Sequence, residues 1–268
     1  MFEINVSNKY IYIVLYLLPL FYLDHYGILL LISAISITKI MKKKGEISLA
    51  TCSKGDTALM FFSVIMGYVI TVLFDAGYLD HGLEINGIRF IPTYSLIFYV
   101  ALPILWFLKK DRETLKNLFY IDKNIIIYTL VICLPLIILN IANTVLESSM
   151  EIAYSREHLL QNIFQYWITA SFVEEVFFRG YLYLKLKKIM NTNAAQIISA
   201  LIFATWHVSL MVTIFNTSSF LTLMNLVAIF FLGIATARIL EHSKSLIPCI
   251  VFHALVNGAL LSKIMLFN

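Results

Sequence analysis

Long apolar segments, separated by short polar loops, follow one another along the chain. Each approaches or exceeds the ~20 residues with which a helix crosses a ~30 Å hydrocarbon core. Seven of them have clear bounds, namely Thr57 to Leu79, Ile91 to Leu108, Asn124 to Leu146, Leu159 to Leu184, Ala194 to Phe215, Phe220 to Leu240 and Leu246 to Phe267. The pattern predicts a transmembrane helix over each segment.

The first apolar region, Tyr10 to Ile40, is longer than one upright helix requires. Asp24 and His25 interrupt its middle, so it forms either one tilted span or a tight pair of short ones. We therefore predict an all-α fold, a polytopic transmembrane bundle of eight or nine helices. No linker, repeat or low-complexity stretch divides the chain, which indicates one integral membrane domain over residues 1–268.

Composition supports a multi-pass protein of the cell membrane. Hydrophobic residues make up 60% of the chain, charged residues 13%, and the mean hydropathy is +0.84, whereas a soluble domain has roughly a quarter charged residues. The lipid bilayer is thus the first expected partner. The net charge of +4 is small and concentrated in a few loops, so it gives no reason to expect a nucleic-acid partner.

Basic residues are concentrated in three loops, and the loops around His81, Ser148 and Asn216 are poor in them. The basic loops contain Lys39, Lys42, Lys43, Lys44 and Lys54, then Lys109, Lys110, Arg112, Lys116 and Lys123, then Lys185, Lys187 and Lys188. By the positive-inside rule these loops are cytoplasmic. The alternation holds for every segment, so the assignment of the spans is consistent.

Ionisable groups also occur inside the apolar segments, where they are costly and usually functional. Glu174, Glu175 and Arg179 lie in one segment, His207 in the next, and His253 with Asn257 in the last. Measured from the nearest cytoplasmic loop at 1.5 Å per residue, Glu174, His207, His253 and Asn257 lie about 12 to 21 Å deep. Three helices therefore place polar groups in one layer near the bilayer midplane, which predicts a single site inside the membrane.

Spacing along each helix refines this site. Glu175 and Arg179 are four residues apart, on one helical face, and can form an ion pair. Glu174 points about 100° away from Glu175 and is left for chemistry. His253 and Asn257 share a face for the same reason, and Phe203 lies one turn before His207.

These residues resemble the intramembrane proteases that group CAAX prenyl proteases with bacteriocin-processing and immunity proteins, the CPBP or Abi family. Its motifs read here as Glu174-Glu175-x-x-x-Arg179, Phe203-x-x-x-His207 and His253-x-x-x-Asn257. The match runs from about Ala170 to Asn257, inside a catalytic core of about residues 159–267. The stretch Phe231 to Ala237, FLGIATA, departs from the family because members often carry a second small residue such as glycine there.

The resemblance implies an intramembrane endopeptidase. Glu174 acts as general base on a water held jointly with His207, Glu175 and Arg179 form a structural clamp, and His253 and Asn257 stabilise the oxyanion. Alternatively, Glu174, His207 and His253 bind zinc, because two histidines and one glutamate also serve hydrolytic zinc sites. The sequence leaves a glutamate protease without a cofactor and a zinc metalloprotease both open.

Other functions fit the residues less well. Cys249 precedes His253 by one turn, but a buried cysteine is usually a small hydrophobe. No His-Glu-x-x-His helix, serine in a glycine-rich setting or matched aspartate pair is present. The remaining alternatives are a non-catalytic immunity or scaffold protein with this fold, and a transporter that uses Glu174, Glu175 and Arg179 as a proton relay.

The substrate is expected to be a membrane-embedded or membrane-associated peptide or protein. Abundant Ile, Lys, Asn, Phe and Tyr are typical of an AT-rich bacterial genome, in which CAAX prenylation is unusual. We therefore favour bacterial peptide or bacteriocin maturation, or self-immunity, over cleavage of a prenylated CAAX protein.

The topology predicts that the active site opens toward the cytoplasm, because His253 lies only about 12 Å from that boundary by helix rise. Single cysteines along Leu246 to Asn257, in a background without Cys52, Cys133 and Cys249, test this. A membrane-impermeant thiol reagent should label the His253 face from the cytoplasmic side only. Labelling from the outer side alone would contradict both the topology and the route of access.

Overall fold

The computed structural model describes residues 36, 54–75, 84–85, 88–89, 99, 101–147, 170–213 and 219–264. Apart from Ser36, the predicted span or pair of spans between Tyr10 and Ile40 lies outside these residues. The choice between one helix and two therefore stays a prediction. So does the total of eight or nine helices.

Helices dominate the described part of the chain. In order they are α1 (Lys54–Asp75), α2 (Leu102–Lys110), α3 (Arg112–Leu118), α4 (Lys123–Glu147), α5 (Ala170–Glu174), a wider π-helical segment (Glu175–Tyr183), α6 (Leu184–Ile189), α7 (Thr192–Trp206), α8 (Val208–Thr213), α9 (Ser219–Ser243) and α10 (Ile247–Ile264). The predicted helical class is confirmed. The bounds of α4 and α9 lie within three residues of the predicted segments.

Two of the described helical stretches are long and apolar enough to cross a membrane by themselves, Gly55–Leu73 and Thr222–Ser243. A third candidate exists if Arg112–Leu118 and Lys123–Ile138 form one bent span. Large apolar side chains are exposed along α1 and α4, among them Phe62, Ile65, Leu130 and Leu134. Lipid tails would cover such faces, so the chain has the surface of a membrane protein.

The described residues form two compact units that interleave in the sequence. The first contains residues 119–147, 170–172 and 238–264, and the second contains residues 54–118 and 173–237 as far as they are described. In the first unit α10 packs along α4. Both helices carry buried residues at helical spacing, which are Ile125, Tyr128, Ile132, Cys133 and Leu136 on α4, and Cys249, Phe252, His253 and Val256 on α10.

The second unit is built around aromatic rings. Phe177 and Phe178 of the π-helical segment contact Trp206 of α7, with ring centres 6.2 and 5.4 Å away. Two glycines allow the helices to approach. A Cβ at Gly67 would lie 2.5 Å from Trp206, and one at Gly233 would lie 2.7 Å from the Cβ of Ala200, so neither position has room for a side chain.

Side-chain caps mark the first turns of two helices, and a residue with positive φ follows the end of a third. Asn191 accepts a hydrogen bond from the Ala194 amide at 2.9 Å, and Asp122 accepts one from the Ile125 amide at 2.7 Å, which satisfies free N–H groups in the first turns of α7 and α4. After α9, Lys244 adopts a positive φ of 61°. Left-handed residues of this kind commonly end helices.

Two predicted segments differ from the structure. The segment Ala194 to Phe215 was expected to be one span, but α7 ends at Trp206 and His207 separates it from α8. The segment that ends at Leu184 in the prediction continues as helix to Ile189. The first difference places His207, a predicted site residue, at the break between two helices.

The prediction that Lys185 belongs to a basic loop is wrong. Lys185 is 3% exposed, its Nζ lies 3.8 Å from the centre of the Trp106 ring, and it donates to the Asp56 carbonyl at 3.1 Å. Ring faces and carbonyl oxygens both attract an ammonium group, so this environment replaces water around the charge. Only Lys187 and Lys188 of that group remain at least partly exposed.

A short antiparallel hairpin pairs Glu84 with Arg89 and Ile85 with Ile88. It lies in the loop after the predicted span Thr57 to Leu79, and the hydropathy pattern does not predict it. The signal for it is the dipeptide Asn86-Gly87 between the strands, which is a favoured sequence for two-residue hairpin loops. The described part of the chain is therefore helical with one two-stranded addition.

Candidate active site

The first motif lies where α5 widens into the π-helical segment Glu175–Tyr183, every residue of which is buried. The change of hydrogen-bond register inside a helix leaves backbone groups that need other partners. Ser199 of α7 supplies one, because its hydroxyl donates to the Phe178 carbonyl at 3.1 Å. Such π-helical stretches occur often at functional sites, where they redirect side chains.

Arg179 and Glu175 form the predicted ion pair. The Arg179 Nε and the Glu175 Oε2 are 3.3 Å apart, with the two side chains 1% and 0% exposed. A guanidinium and a carboxylate this deeply buried are tolerable only as a pair with further hydrogen bonds. The structure therefore confirms the pairing expected from the four-residue spacing.

Thr236 of α9 provides a further contact to the ion pair, and the sequence motifs do not include it. The Arg179 Nε–H donates to the Thr236 hydroxyl oxygen at 2.6 Å, and that hydroxyl donates in turn to the Leu232 carbonyl at 3.0 Å. Thr236 lies in the FLGIATA stretch that departs from the family pattern. The departure does not prevent close packing, because Gly233 in the same stretch brings α9 against Ala200 of α7.

Phe203 connects the ion pair to His207. The Arg179 guanidinium carbon lies 4.1 Å from the centre of the Phe203 ring, at the distance of a cation–π contact. The Phe203 and His207 rings are 4.8 Å apart and nearly perpendicular. Phe203 is fully buried. Its ring therefore contacts both the Arg179 guanidinium and the His207 imidazole away from water.

His207 occupies the break between α7 and α8, with φ −85° and ψ −4°. Its Nδ1 lies 2.9 Å from the Phe203 carbonyl oxygen. A carbonyl only accepts hydrogen bonds, so we assign the proton of the neutral ring to Nδ1. The lone pair of the imidazole is then on Nε2.

The His207 Nε2 faces Glu174. The distance from Nε2 to the Glu174 Oε2 is 3.8 Å, and the side chains are 14% and 24% exposed. This distance is too long for a direct hydrogen bond. The Glu174 Oε2 and the His207 Nε2, which can both accept protons, thus face each other across a gap. Two of the three helices that were predicted to form the site therefore bring their polar groups together.

His253 and Asn257 belong to the other compact unit, on α10. His253 is 1% exposed, and the Asn257 Nδ2 donates to the Ser171 hydroxyl at 3.1 Å. The Cys249 thiol lies 3.7 Å from the Ser245 carbonyl of its own helix, which fits a buried structural cysteine. The convergence of His253 and Asn257 on Glu174 and His207 stays a prediction.

A metal site was one of the two interpretations of these residues. Within either unit, the described residues contain no group of three or more His, Cys, Asp or Glu side chains that could hold a metal ion. In the second unit the Glu174 carboxylate and the His207 Nε2 are donor atoms of the types that zinc accepts. A third ligand from His253 stays a prediction.

Residues 156–259 match the family model described as Type II CAAX prenyl endopeptidase Rce1-like. All residues of the three motifs, from Glu174 to Asn257, lie inside the matched stretch. The match bears out the resemblance to the CPBP family that the motifs indicate. No curated protein and no solved structure matches the chain.

The contact between Arg179 and Thr236 predicts an effect on stability. Thr236→Val is nearly isosteric but leaves the Arg179 Nε–H without its hydroxyl acceptor, so it should lower the free energy of unfolding by about 1.5 to 3 kcal/mol. Thr236→Ser keeps the hydroxyl and should lose less. Thermal unfolding in detergent compares the two variants; equal losses would show that the hydroxyl contributes nothing.

Proposed function

Because residues 156–259 match the Rce1-like family model of type II CAAX prenyl endopeptidases, we propose that this protein is an intramembrane endopeptidase. It hydrolyses a peptide bond of a membrane-associated protein or peptide. The observation that supports this most strongly is the gap of 3.8 Å between the Glu174 Oε2 and the His207 Nε2. One water molecule spans such a gap with a hydrogen bond to each atom.

The tautomer of His207 determines how this water molecule is oriented. With Nδ1 donating to the Phe203 carbonyl, Nε2 accepts one hydrogen of the water and the Glu174 carboxylate accepts the other. The oxygen lone pairs of the water are then turned away from both residues, toward the substrate carbonyl. His207 orients the water, and Glu174 is the base.

In the first chemical step Glu174 takes a proton from the water as the water oxygen bonds to the carbonyl carbon of the scissile peptide. The carbonyl π electrons move to the oxygen, which becomes the oxyanion of a tetrahedral intermediate. His253 and Asn257 donate hydrogen bonds to that oxyanion. When the carbon–nitrogen bond breaks, Glu174 returns the proton to the leaving amine.

The ion pair of Glu175 and Arg179 supports this chemistry without taking part in it. Its opposite charges offset each other in a buried environment, and Arg179 stacks on Phe203. Phe203 in turn supplies the carbonyl that fixes the tautomer of His207. The clamp thus orders the residue on which the orientation of the water depends.

Zinc remains the alternative to a cofactor-free site. Glu174 and His207 would supply two ligands and His253 a third, and the metal would polarise the substrate carbonyl and lower the pKa of bound water. We favour the cofactor-free arrangement, because Asn257 beside His253 is a poor zinc ligand and a good oxyanion donor.

The family match points to a prenylated peptide that ends in a Cys-a-a-X sequence as the first substrate class to test. A bacterial peptide or bacteriocin precursor is the second, on the ground of composition. Both reach the site from the membrane, and the predicted topology gives access from the cytoplasm. We propose the prenylated peptide as the probe because it can be made with a quenched fluorophore.

Glu174→Gln tests the base. The amide keeps the size of the side chain but cannot accept a proton, so kcat should fall at least about 100-fold, while insertion and thermal stability stay close to wild type. Glu113→Gln is the matched control, because Glu113 is exposed and pairs only with Lys116 on the surface of α3. Cleavage of the quenched peptide is the readout.

Full activity of Glu174→Gln would contradict the mechanism. A wild-type protein that binds the peptide but cleaves neither it nor a bacteriocin precursor would favour the non-catalytic immunity or scaffold function. The two outcomes are distinguishable, because the first is measured on Glu174→Gln and the second on the wild-type protein alone.

Metal content separates the two forms of the site. If the water is held by Glu174 and His207 alone, elemental analysis of active, purified protein should find no stoichiometric metal, and chelation should leave activity unchanged. If Glu174, His207 and His253 are ligands, one zinc ion per chain should copurify and be lost together with activity. His253→Ala should then also abolish zinc binding.

A further inference from the structure

Ser171 holds the carboxamide of Asn257 within one compact unit. The Asn257 Nδ2 donates to the Ser171 Oγ at 3.1 Å, and Ser171 is fully buried. Both residues belong to the first unit, which contains residues 119–147, 170–172 and 238–264. Ser171 lies three residues before Glu174 in the sequence, but none of the three motifs includes it.

We propose that Ser171 is a positioning residue, which fixes the Asn257 carboxamide in the orientation that an oxyanion donor needs. This inference rests on the endopeptidase function proposed above. It adds to the site a residue that does not touch the substrate and acts only through Asn257.

The argument begins with the symmetry of the asparagine side chain. Its oxygen and nitrogen ends have nearly the same size, so a half-turn of the amide exchanges a hydrogen-bond donor for an acceptor. An N–H directed at the oxyanion stabilises it, whereas a carbonyl oxygen directed there would repel it. The orientation of the Asn257 amide therefore decides the sign of its effect on the intermediate.

A hydrogen bond from one N–H of the Asn257 amide to the Ser171 oxygen also fixes the direction of the other N–H. The carboxamide is planar, so once the first Nδ2–H is directed at the Ser171 oxygen, the direction of the second Nδ2–H is set by covalent geometry. Oxyanion donors contribute most when they are held in place before the reaction. The Ser171 hydroxyl is fully buried, so bulk water does not compete with the Asn257 amide for its oxygen.

The alternative is that Ser171 and Asn257 form an ordinary hydrogen bond between membrane helices, which contributes only to packing. The two possibilities differ in how the effects of substitutions combine. A packing contact changes the free energy of unfolding and leaves the kcat of the folded protein unchanged. A positioning contact changes kcat only while the side chain that it positions is present.

The experiment is a double-mutant cycle with Ser171→Ala, Asn257→Ala and the combination, assayed on the quenched farnesylated Cys-a-a-X peptide in detergent micelles. Ser171→Ala should lower kcat roughly two- to tenfold, the usual effect of one neutral hydrogen bond, with KM unchanged. In the Asn257→Ala background it should cause almost no further loss. An equal loss in both backgrounds, or no loss in either, would overturn the proposal.

Ser63→Ala is the matched control. Ser63 is also a fully buried serine on an apolar helix, but its hydroxyl donates to the Leu59 carbonyl of the same helix at 2.7 Å. This variant should keep the wild-type kcat. A loss equal to that of Ser171→Ala would show a general effect of removing a buried hydroxyl and would count against the proposal.

A second readout does not require activity. In protein labelled with [15N]asparagine, the side-chain NH2 signals of Asn257 are assigned by their loss in Asn257→Ala. Ser171→Ala should shift and broaden these signals, and Ser63→Ala should leave them unchanged. Unchanged Asn257 signals in Ser171→Ala would overturn the proposal even if the enzyme cleaves a different substrate, whereas a wild-type protein that fails to cleave the peptide concerns the proposed function alone.

Discussion

The site depends on the need to neutralise and hydrogen-bond a guanidinium buried in apolar surroundings. Arg179 is 1% exposed and its partner Glu175 is 0% exposed, and a charge this deep is destabilising unless neighbouring groups replace water. Three elements of the second unit meet that need. The π-helical segment supplies Glu175, α9 supplies Thr236, and α7 supplies the face of the Phe203 ring.

Each of these contacts has a consequence for the proposed chemistry. The ring that accepts the guanidinium belongs to the residue whose carbonyl accepts from His207. At the end of α7 the His207 side chain takes the Phe203 carbonyl, and the His207 backbone N–H donates to the Ala204 carbonyl instead. The buried ion pair and the orientation of His207 thus depend on the same residue, Phe203. This contact links the motif that contains Arg179 to the motif that contains His207.

The wider helix and the small residues serve the same arrangement. Gly233 lets α9 approach Ala200 closely, which brings Thr236 within reach of Arg179. Ser199, one residue before Ala200, satisfies the Phe178 carbonyl of the π-helical segment. Close contact of membrane helices through small residues and hydroxyl groups replaces the hydrophobic driving force that lipid does not provide.

The sequence alone determined the helical class, the family resemblance and the pairs that lie within one helix. Hydropathy and a four-residue spacing depend only on local geometry, so the pair of Glu175 and Arg179 and the bounds of α4 and α9 were predictable. The tertiary structure decided the contacts between helices, because they depend on which faces meet. It added Thr236 to the clamp and Ser171 to Asn257, placed His207 at a helix break, and buried Lys185 against Trp106 where charge counting had assigned it to a loop.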